Sequence, residues 1–593
     1  MMKRVAYIFI TSIIIGTILL NFSSCANTTA APTGGDKDTI PPVLLKVEPA
    51  QRKINFPITD NKVTLTFNEY TVVKNANDIL LSPPQKKRVK TKVKGKSIVV
   101  TFQDTLIPDR TYTLNFGSAL ADNNEGNLFG KFVYTFSTGE IIDSMYFTGT
   151  VMDAKTLLPK KGVLVSVYTD FSDSALFKSL PYAATKSDDW GYFALTNIKP
   201  QKYRIYAVED LNNNNIYDPA TEQVGFIGDY FQPTLVVNDT VPELALYDMK
   251  DTIGCRSRRS DFNILMFKES ETTQKVKSVG RPSLRECYVK FQSSNAEVES
   301  ITFSGIPEKD LIKQFNPIKD SLSIWINDKG YLPDTIFAHI KYMKSDSTNK
   351  LVPSDEDLKF AMEKKPFVAN QKKEAWDTSV VMTIISTPEN IDQDGYKFEF
   401  GFPIVENNYD KLTYQSISPR GDTINEEYKI VPDLQDIKKF ALKPKNKMQE
   451  GYTYHLTVRK GCFIDINGLP NDSTYISTKL PSEDGLSTIT LLCKGVYKRY
   501  IVDLVSENRQ KVFRSYTIDE DILLEFPYLK EGKYSIRITE DGNKNGIIDI
   551  GSLLDHRQPE KVLLYETPSG ETIIEVKPNI EINQTIDLLE MFR

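Results

Sequence analysis

Val63-Thr-Leu-Thr-Phe67, Ser97-Ile-Val-Val-Thr-Phe102, Tyr112-Thr-Leu-Asn-Phe116 and Phe132-Val-Tyr-Thr-Phe136 decide the reading of the fold. Each run is short, rich in β-branched and aromatic residues, and alternates apolar with polar side chains. That period of two belongs to a strand with one face in a core. Pro, Asn, Asp and Gly separate the runs, and no 3.6-residue period persists between residues 41 and 139. Short strands at this spacing predict a β-sandwich.

The pattern continues outward. Tyr146-Phe-Thr-Gly-Thr-Val151, Gly162-Val-Leu-Val-Ser-Val-Tyr168 and Tyr203-Arg-Ile-Tyr-Ala-Val208 predict a second, small sandwich. The chain then repeats itself. Gly451-Tyr-Thr-Tyr-His-Leu-Thr-Val458 parallels Arg110-Thr-Tyr-Thr-Leu-Asn-Phe116. Leu529-Lys-Glu-Gly-Lys-Tyr-Ser-Ile-Arg-Ile538 parallels Ile198-Lys-Pro-Gln-Lys-Tyr-Arg-Ile-Tyr-Ala207. Residues 255–370 between the copies are also strand-rich. The expected fold is all-β, a rod of tandem sandwiches with minimal helix. Its short linkers are expected at about 350–375 and 480–486.

Composition agrees. The chain has 593 residues, enough for about four domains. Hydrophobic residues make up 40% and charged residues 25%, which excludes collagen-like, largely disordered and multi-span membrane chains. Net charge is −5. No basic stripe stands out, and the run Lys86-Lys-Arg-Val-Lys90 reads as a solvated hairpin, so nucleic acid is not an expected partner. Three histidines in the whole chain, His339, His455 and His556, give little material for a triad or a zinc site. There is no HExxH, no GxSxG and no dinucleotide-binding glycine motif. Gly95-Lys96-Ser97 lacks the earlier P-loop glycine, because residue 90 is Lys. No enzymatic activity is expected.

Two segments resemble known domains. GGDKDTIPPVLLKVEP (34–49), VTLTFNEY (63–70), LIPDRTYTLNFGSALADNNEGN (106–127) and FVYTFSTGE (132–140) resemble the bacterial Ig-like domain of S-layer type found in Bacteroidota lipoproteins. That resemblance implies an immunoglobulin-like sandwich and no activity. Residues 145–250 resemble the carboxypeptidase regulatory-like, transthyretin-like fold, a non-catalytic accessory. The organisation read from the sequence is as follows. A signal peptide covers 1–24 and a linker 25–40. A bacterial Ig-like domain covers 41–140 and a regulatory-like sandwich 141–250. A β-rich domain covers 251–370, a second Ig-like sandwich 371–482 and a second regulatory-like sandwich 483–593.

The start of the chain carries an address. Lys3 and Arg4 precede an apolar stretch, Val5 to Leu20, too short for a typical spanning helix and suited to a signal peptide. Phe22-Ser-Ser-Cys25 resembles a bacterial lipobox. This implies cleavage before Cys25 and lipidation of Cys25, hence anchoring in the outer membrane. Surface-exported lipoproteins of the same kind carry acidic residues directly after the cysteine. Here Ala26, Asn27, Thr28 and Thr29 stand there, which tilts the expectation to the periplasmic face. Ala26 to Asp38 has the composition of a flexible tether.

Two loops carry the sharpest local signal. Asp210-x-Asn212-x-Asn214-Asn215-x-x-Asp218 and Asp541-x-Asn543-x-Asn545-Gly546-x-x-Asp549 each follow the Tyr-containing strand of a regulatory-like segment. Oxygens at positions 1, 3, 5 and 9, the position-7 carbonyl of Ile216 or Ile547, and a sharp turn at position 6 match an EF-hand calcium loop. Position 12 is Thr221 or Ser552 instead of Glu, with Glu222 one residue late in the first loop. Two expectations stay open: weak calcium sites, or Asn-rich turns closed on their own hydrogen bonds. No cofactor is required under either.

Asp-Ser/Thr followed by an apolar residue or Thr resembles the O-glycosylation motif of Bacteroidota envelope proteins. It occurs at Thr39, Thr105, Ser144, Ser174, Thr240, Thr252, Ser321, Thr335, Ser347, Thr423 and Ser473. Of the remaining cysteines, Cys255–Cys287 and Cys462–Cys493 are the sequence-nearest pairs. Four buried free thiols are the other reading. The expected function is a non-enzymatic, lipid-anchored outer-membrane scaffold or binding protein working with another envelope protein. The alternative is a glycan-binding lipoprotein for polysaccharide uptake. The tryptophans available to a glycan platform are Trp190, Trp325 and Trp376, and Trp190 reads as part of a core turn.

Overall fold

A computed structural model describes residues 38–593 except 131, 238–259, 270–272, 348–349, 363–378, 434, 483 and 554. The chain is a series of tandem β-sandwiches. Among the described residues the α-helices are four-residue turns such as Ala175–Lys178 and Ile391–Asp394. The chain divides into two compact units, Met1–Asp143 and Ser144–Arg593.

In the first unit, one sheet runs in the order Leu44–Glu48, Lys62–Phe67, Ser97–Thr101, Lys90–Lys94. A second runs Leu80–Ser82, Thr111–Asn115, Val133–Ser137. Val63, Leu65 and Phe67 from the first sheet meet Tyr112, Leu114 and Phe136 from the second in one core. The period-two alternation read from the sequence puts those residues inside.

Among the described residues the second unit holds four sandwiches. Two share one strand order. Met145–Asp153 pairs antiparallel with Tyr192–Ile198 and parallel with Phe262–Met266. Ser487–Lys494 pairs in the same way with Ile522–Leu529 and Glu581–Asp587. The parallel closing strand carries the first of these sandwiches past the expected edge at residue 250, to Met266. Between the two lie the sandwich of strands from Val276 to Ala361 and a sandwich of strands from Met382 to Lys479. The latter repeats the strand order of the first unit. Its Tyr454 accepts the Gln449 amide at 2.7 Å as Tyr112 accepts that of Ile107 at 2.8 Å.

One expected linker and the expected rod are corrected. The region expected to be a linker from about residue 350 opens with an eleven-residue strand, Leu351–Ala361, paired along its length with Thr335–Ser345. Nor are these four sandwiches a rod. The last docks on the first. Arg509 donates to the carbonyls of Thr156 and Leu157 at 3.2 and 2.9 Å, and Gln558 to that of Phe226 at 3.0 Å. Arg514 ties the last sandwich to the 382–479 sandwich through Asp392 at 2.9 Å. Contacts between residues 122 to 353 apart do not show in any local pattern.

Candidate functional site

The two Asp/Asn loops occupy equivalent places. One joins Arg204–Val208 to Val224–Phe226, the other Gly532–Glu540 to Val562–Leu564. Their backbones turn alike: Asn213 and Asn215 have φ of 59° and 61°, Lys544 and Gly546 61° and 75°. Asn tolerates this left-handed region and Gly enters it freely.

The side chains also repeat. Asp210 accepts the amides of Asn214 and Asn215 at 3.1 and 3.0 Å. Asp541 accepts those of Asn545 and Gly546 at 3.0 and 3.1 Å. Asn212 and Asn543 each accept the amide two residues on. Asn214 and Asn545 do the same for Ile216 and Ile547. Asp549 accepts the side-chain amides of Asn543 and Asn545. The loops are thus closed turns; the second brings Asp549 onto Asn543 and Asn545, whereas in the first the Asp218 carboxylate accepts the Ala220 amide at 3.1 Å. Among the described residues no three carboxylate, imidazole or thiol groups converge as a metal cluster.

A glutamate closes each loop from beneath. Glu222 accepts the amides of Leu211 and Asp218 at 3.0 and 2.9 Å, and Glu560 those of Gly542 and Asp549 at 2.9 and 3.0 Å. Burial pushes both carboxyls above their ordinary pKa. The amides pull the other way, and Asp210, or Asp549 with Asp541, pushes up again. Sequence reading found Glu222 but missed Glu560. An insertion delays Glu560 to 19 residues after Asp541, so no fixed spacing marks it.

That insertion joins the two loops. Leu553 is buried in the first sandwich of the second unit among Tyr168, Leu176, Tyr206, Val224 and Phe267. Its amide donates to Glu269 at 2.8 Å. The other oxygen of Glu269 accepts from Tyr217 at 3.5 Å. Tyr217 belongs to the first Asp/Asn loop, and burial, then Glu269, raises its phenol pKa. Neither Leu553 nor Glu269 carries a local sequence signal.

Of the glycosylation candidates, Thr39, Thr105, Ser174, Ser347, Thr423 and Ser473 are exposed, and Ser144, Ser321 and Thr335 half-buried. Thr240 and Thr252 lie outside the described residues, with Cys25, the targeting segment, Cys255 and Trp376. Cys462 and Cys493 sit in different cores and are free, so that pairing is corrected; Cys287 is free and buried as well. Burial raises the thiols of Cys287 and Cys493 to about 12 and that of Cys462 to about 11, which makes them inert at neutral pH. Trp190 is 44% exposed and no part of a core, whereas Trp325 is buried at 2%.

Residues 38–138 match the bacterial Ig-like domain family. With the β-sandwich architecture, that domain fits a structural, non-enzymatic role. No curated protein matches the chain. Solved structures give remote likenesses. One is the N-terminal part of the bacterial S-layer protein SbsC, at 14% identity over 28% of this chain and 40% of that one, TM-score 0.13. Another is BcpA, the major pilin subunit of Bacillus cereus, at 12% identity over 75% and 99%, TM-score 0.13. At such scores neither informs the role of the chain beyond its bacterial Ig-like domain. Among the described residues no helix is long and apolar enough to cross a membrane.

Proposed function

We propose that the protein is a lipid-anchored, extracytoplasmic scaffold of the outer membrane that presents a braced β-sandwich assembly to another envelope protein. The mutual docking of the first and last sandwiches of the second unit carries this reading. Leu553 and the arginine contacts restrain those sandwiches, and a restrained platform suits holding a partner at fixed geometry. The lipobox-like Phe22-Ser-Ser-Cys25 supplies the anchor; acylation at two sites would hold it stably. Cys25→Ala is expected to release the protein from membranes or leave an uncleaved precursor, read by fractionation and mature size. Normal size with full membrane retention would remove the anchor from the proposal. The glycan-binding alternative draws on exposed Trp190 and loses buried Trp325.

The twin loops are proposed as weak calcium clamps. Burial first, and the neighbouring Asp210 or Asp549 and Asp541 after it, raise the Glu222 and Glu560 carboxyls, and a cation beside them would favour the ionised form. Without a cation, each glutamate favours the fold most below its unfolded pKa, near 4.5. That contribution fades as pH rises through the raised folded value. With loop affinities of about 10⁻⁴–10⁻³ M, calcium at about 5 mM adds roughly 1–2.5 kcal/mol per site at neutral pH by mass action. Thermal unfolding with calcium against chelator reads this. The gain is expected to vanish in Asp210→Ala with Asp541→Ala. Identical wild-type melting in both conditions leaves closed Asn turns with no ion.

A further inference from the structure

The outer face of the N-terminal sheet is a lysine surface that the linear sequence disperses. Val63, Leu65, Phe67, Ile98 and Val100 face the core, so the alternate residues on those strands face out. Residues directly opposite in antiparallel strands share a face. Reading across the sheet gives Lys94, Ser97, Thr66 and Lys46 in one row. The next is Lys92, Val99, Thr64 and Glu48, and the third Lys90, Thr101 and Lys62. The face thus holds five lysines and one carboxylate, and Glu48 is paired with Lys46 at 2.6 Å. Lys62, Lys90, Lys92 and Lys94 are exposed and form no ion pair among the described residues. Lys86 and Lys87, also exposed, flank the edge strand.

Between the lysines stand Ser97, Thr64, Thr66, Thr101 and Val99, all short. The surface is therefore broad and low, with ammonium groups rising above it. Edge strands often carry lysine to block unwanted strand pairing. That accounts for Lys92 or Lys94, but not for Lys62, which lies on an inner strand. Like charges gathered without counter-ions are a cost to the fold that an anionic partner relieves.

We propose that this face lies against the surface of an anionic phospholipid bilayer. A plane of charge without a cleft or convergent donors suits a plane of headgroups. The chain also enters the domain through Leu44–Glu48, a strand of this same sheet. That entry follows Cys25 by about twenty residues of chain. The membrane location rests on the Cys25 reading; the affinity of the face does not, and the two fail separately.

The test uses the unlipidated chain from Ala26 onward, with phosphatidylcholine vesicles containing or lacking phosphatidylglycerol. At low salt, sedimentation with the anionic vesicles is expected to exceed that with neutral ones at least tenfold, and to weaken as salt rises. Each lysine near an anionic surface is worth about a fivefold factor. Lys90→Glu with Lys92→Glu and Lys94→Glu is therefore expected to reduce binding by about a hundredfold or more, with melting no lower than that of the wild type. Lys62→Glu alone lowers it by about fivefold and serves if the triple variant misfolds. Equal binding to both vesicle types, or binding indifferent to the substitutions, overturns the proposal. So does tighter binding to an acidic polysaccharide or duplex DNA than to the vesicles. Release of Cys25→Ala from cell membranes bears on the anchor alone.

Discussion

Asp503→Ala is expected to cost about 3–5 kcal/mol of unfolding free energy, because it strands a buried guanidinium. Asp503 and Arg537 stand directly opposite on neighbouring strands, with side chains 6% and 3% exposed. Nη2 and Nε of Arg537 donate to one Asp503 oxygen at 2.6 and 3.2 Å, and Ser515 donates to the other at 2.6 Å. Their neighbours Val502 and Leu504 point into the core, so the pair lies on the opposite face. Arg537 there also donates to the Lys155 carbonyl of the first sandwich of the second unit at 3.4 Å. Without Asp503, Arg537 keeps that single long contact. Urea unfolding of the single variant, and of Asp503→Leu with Arg537→Met, separates burial from pairing. An apolar replacement of both partners is expected to recover most of the loss. A single variant within about 0.5 kcal/mol of wild type, the range of ordinary surface substitutions, would show the pair to be solvated.

Strand-level structure was legible because its causes are local. The alternation in Val63–Phe67 and the shared Lys-x-x-Lys-Tyr pattern before Tyr203 and Tyr534 led to matching strands. Both tyrosines donate to the carbonyl four residues back, at 3.0 and 2.9 Å. The Asp/Asn loops were legible for the same reason, since the bonds that Asp210, Asn212 and Asn214, or Asp541, Asn543 and Asn545, accept from loop amides span two to five residues. What stayed hidden depends on register or long-range packing. The run at Lys86–Lys90 reads as a solvated hairpin until pairing sets Lys90, Lys92 and Lys94 on one face with Lys62, across the strand Ser97–Thr101. Trp190 reads as core because aromatic residues usually are. Its turn instead leaves it partly in solvent, with its amide bonded to Asp188 at 2.9 Å. Glu269 and Leu553 are an ordinary carboxylate and an ordinary leucine until 284 residues of chain fold between them.

Leu553→Asp is the substitution expected to open the docked pair while leaving both sandwiches folded. Truncating a buried leucine alone costs about 2–5 kcal/mol. Aspartate adds a charge among Tyr168, Leu176, Phe226 and Phe267, next to the Glu269 carboxylate. Leu553 lies on a loop, so neither sandwich loses a strand or its own central core. The cost therefore appears as local opening, not global unfolding. Gly551→Val reaches the same end by another route, since a Cβ at Gly551 would stand 2.6 Å from the Phe267 ring. Glu269→Gln keeps an acceptor for the Leu553 amide and is expected to weaken docking less than either. Limited proteolysis across residues 545–560 and the radius of gyration in solution read the opening. Circular dichroism confirms that the strands persist. If Leu553→Asp keeps wild-type protection and size, the docking does not depend on this side chain. The contacts of Arg509 to Thr156 and Leu157, of Gln558 to Phe226 and of Arg537 to Lys155 would then hold the two sandwiches together.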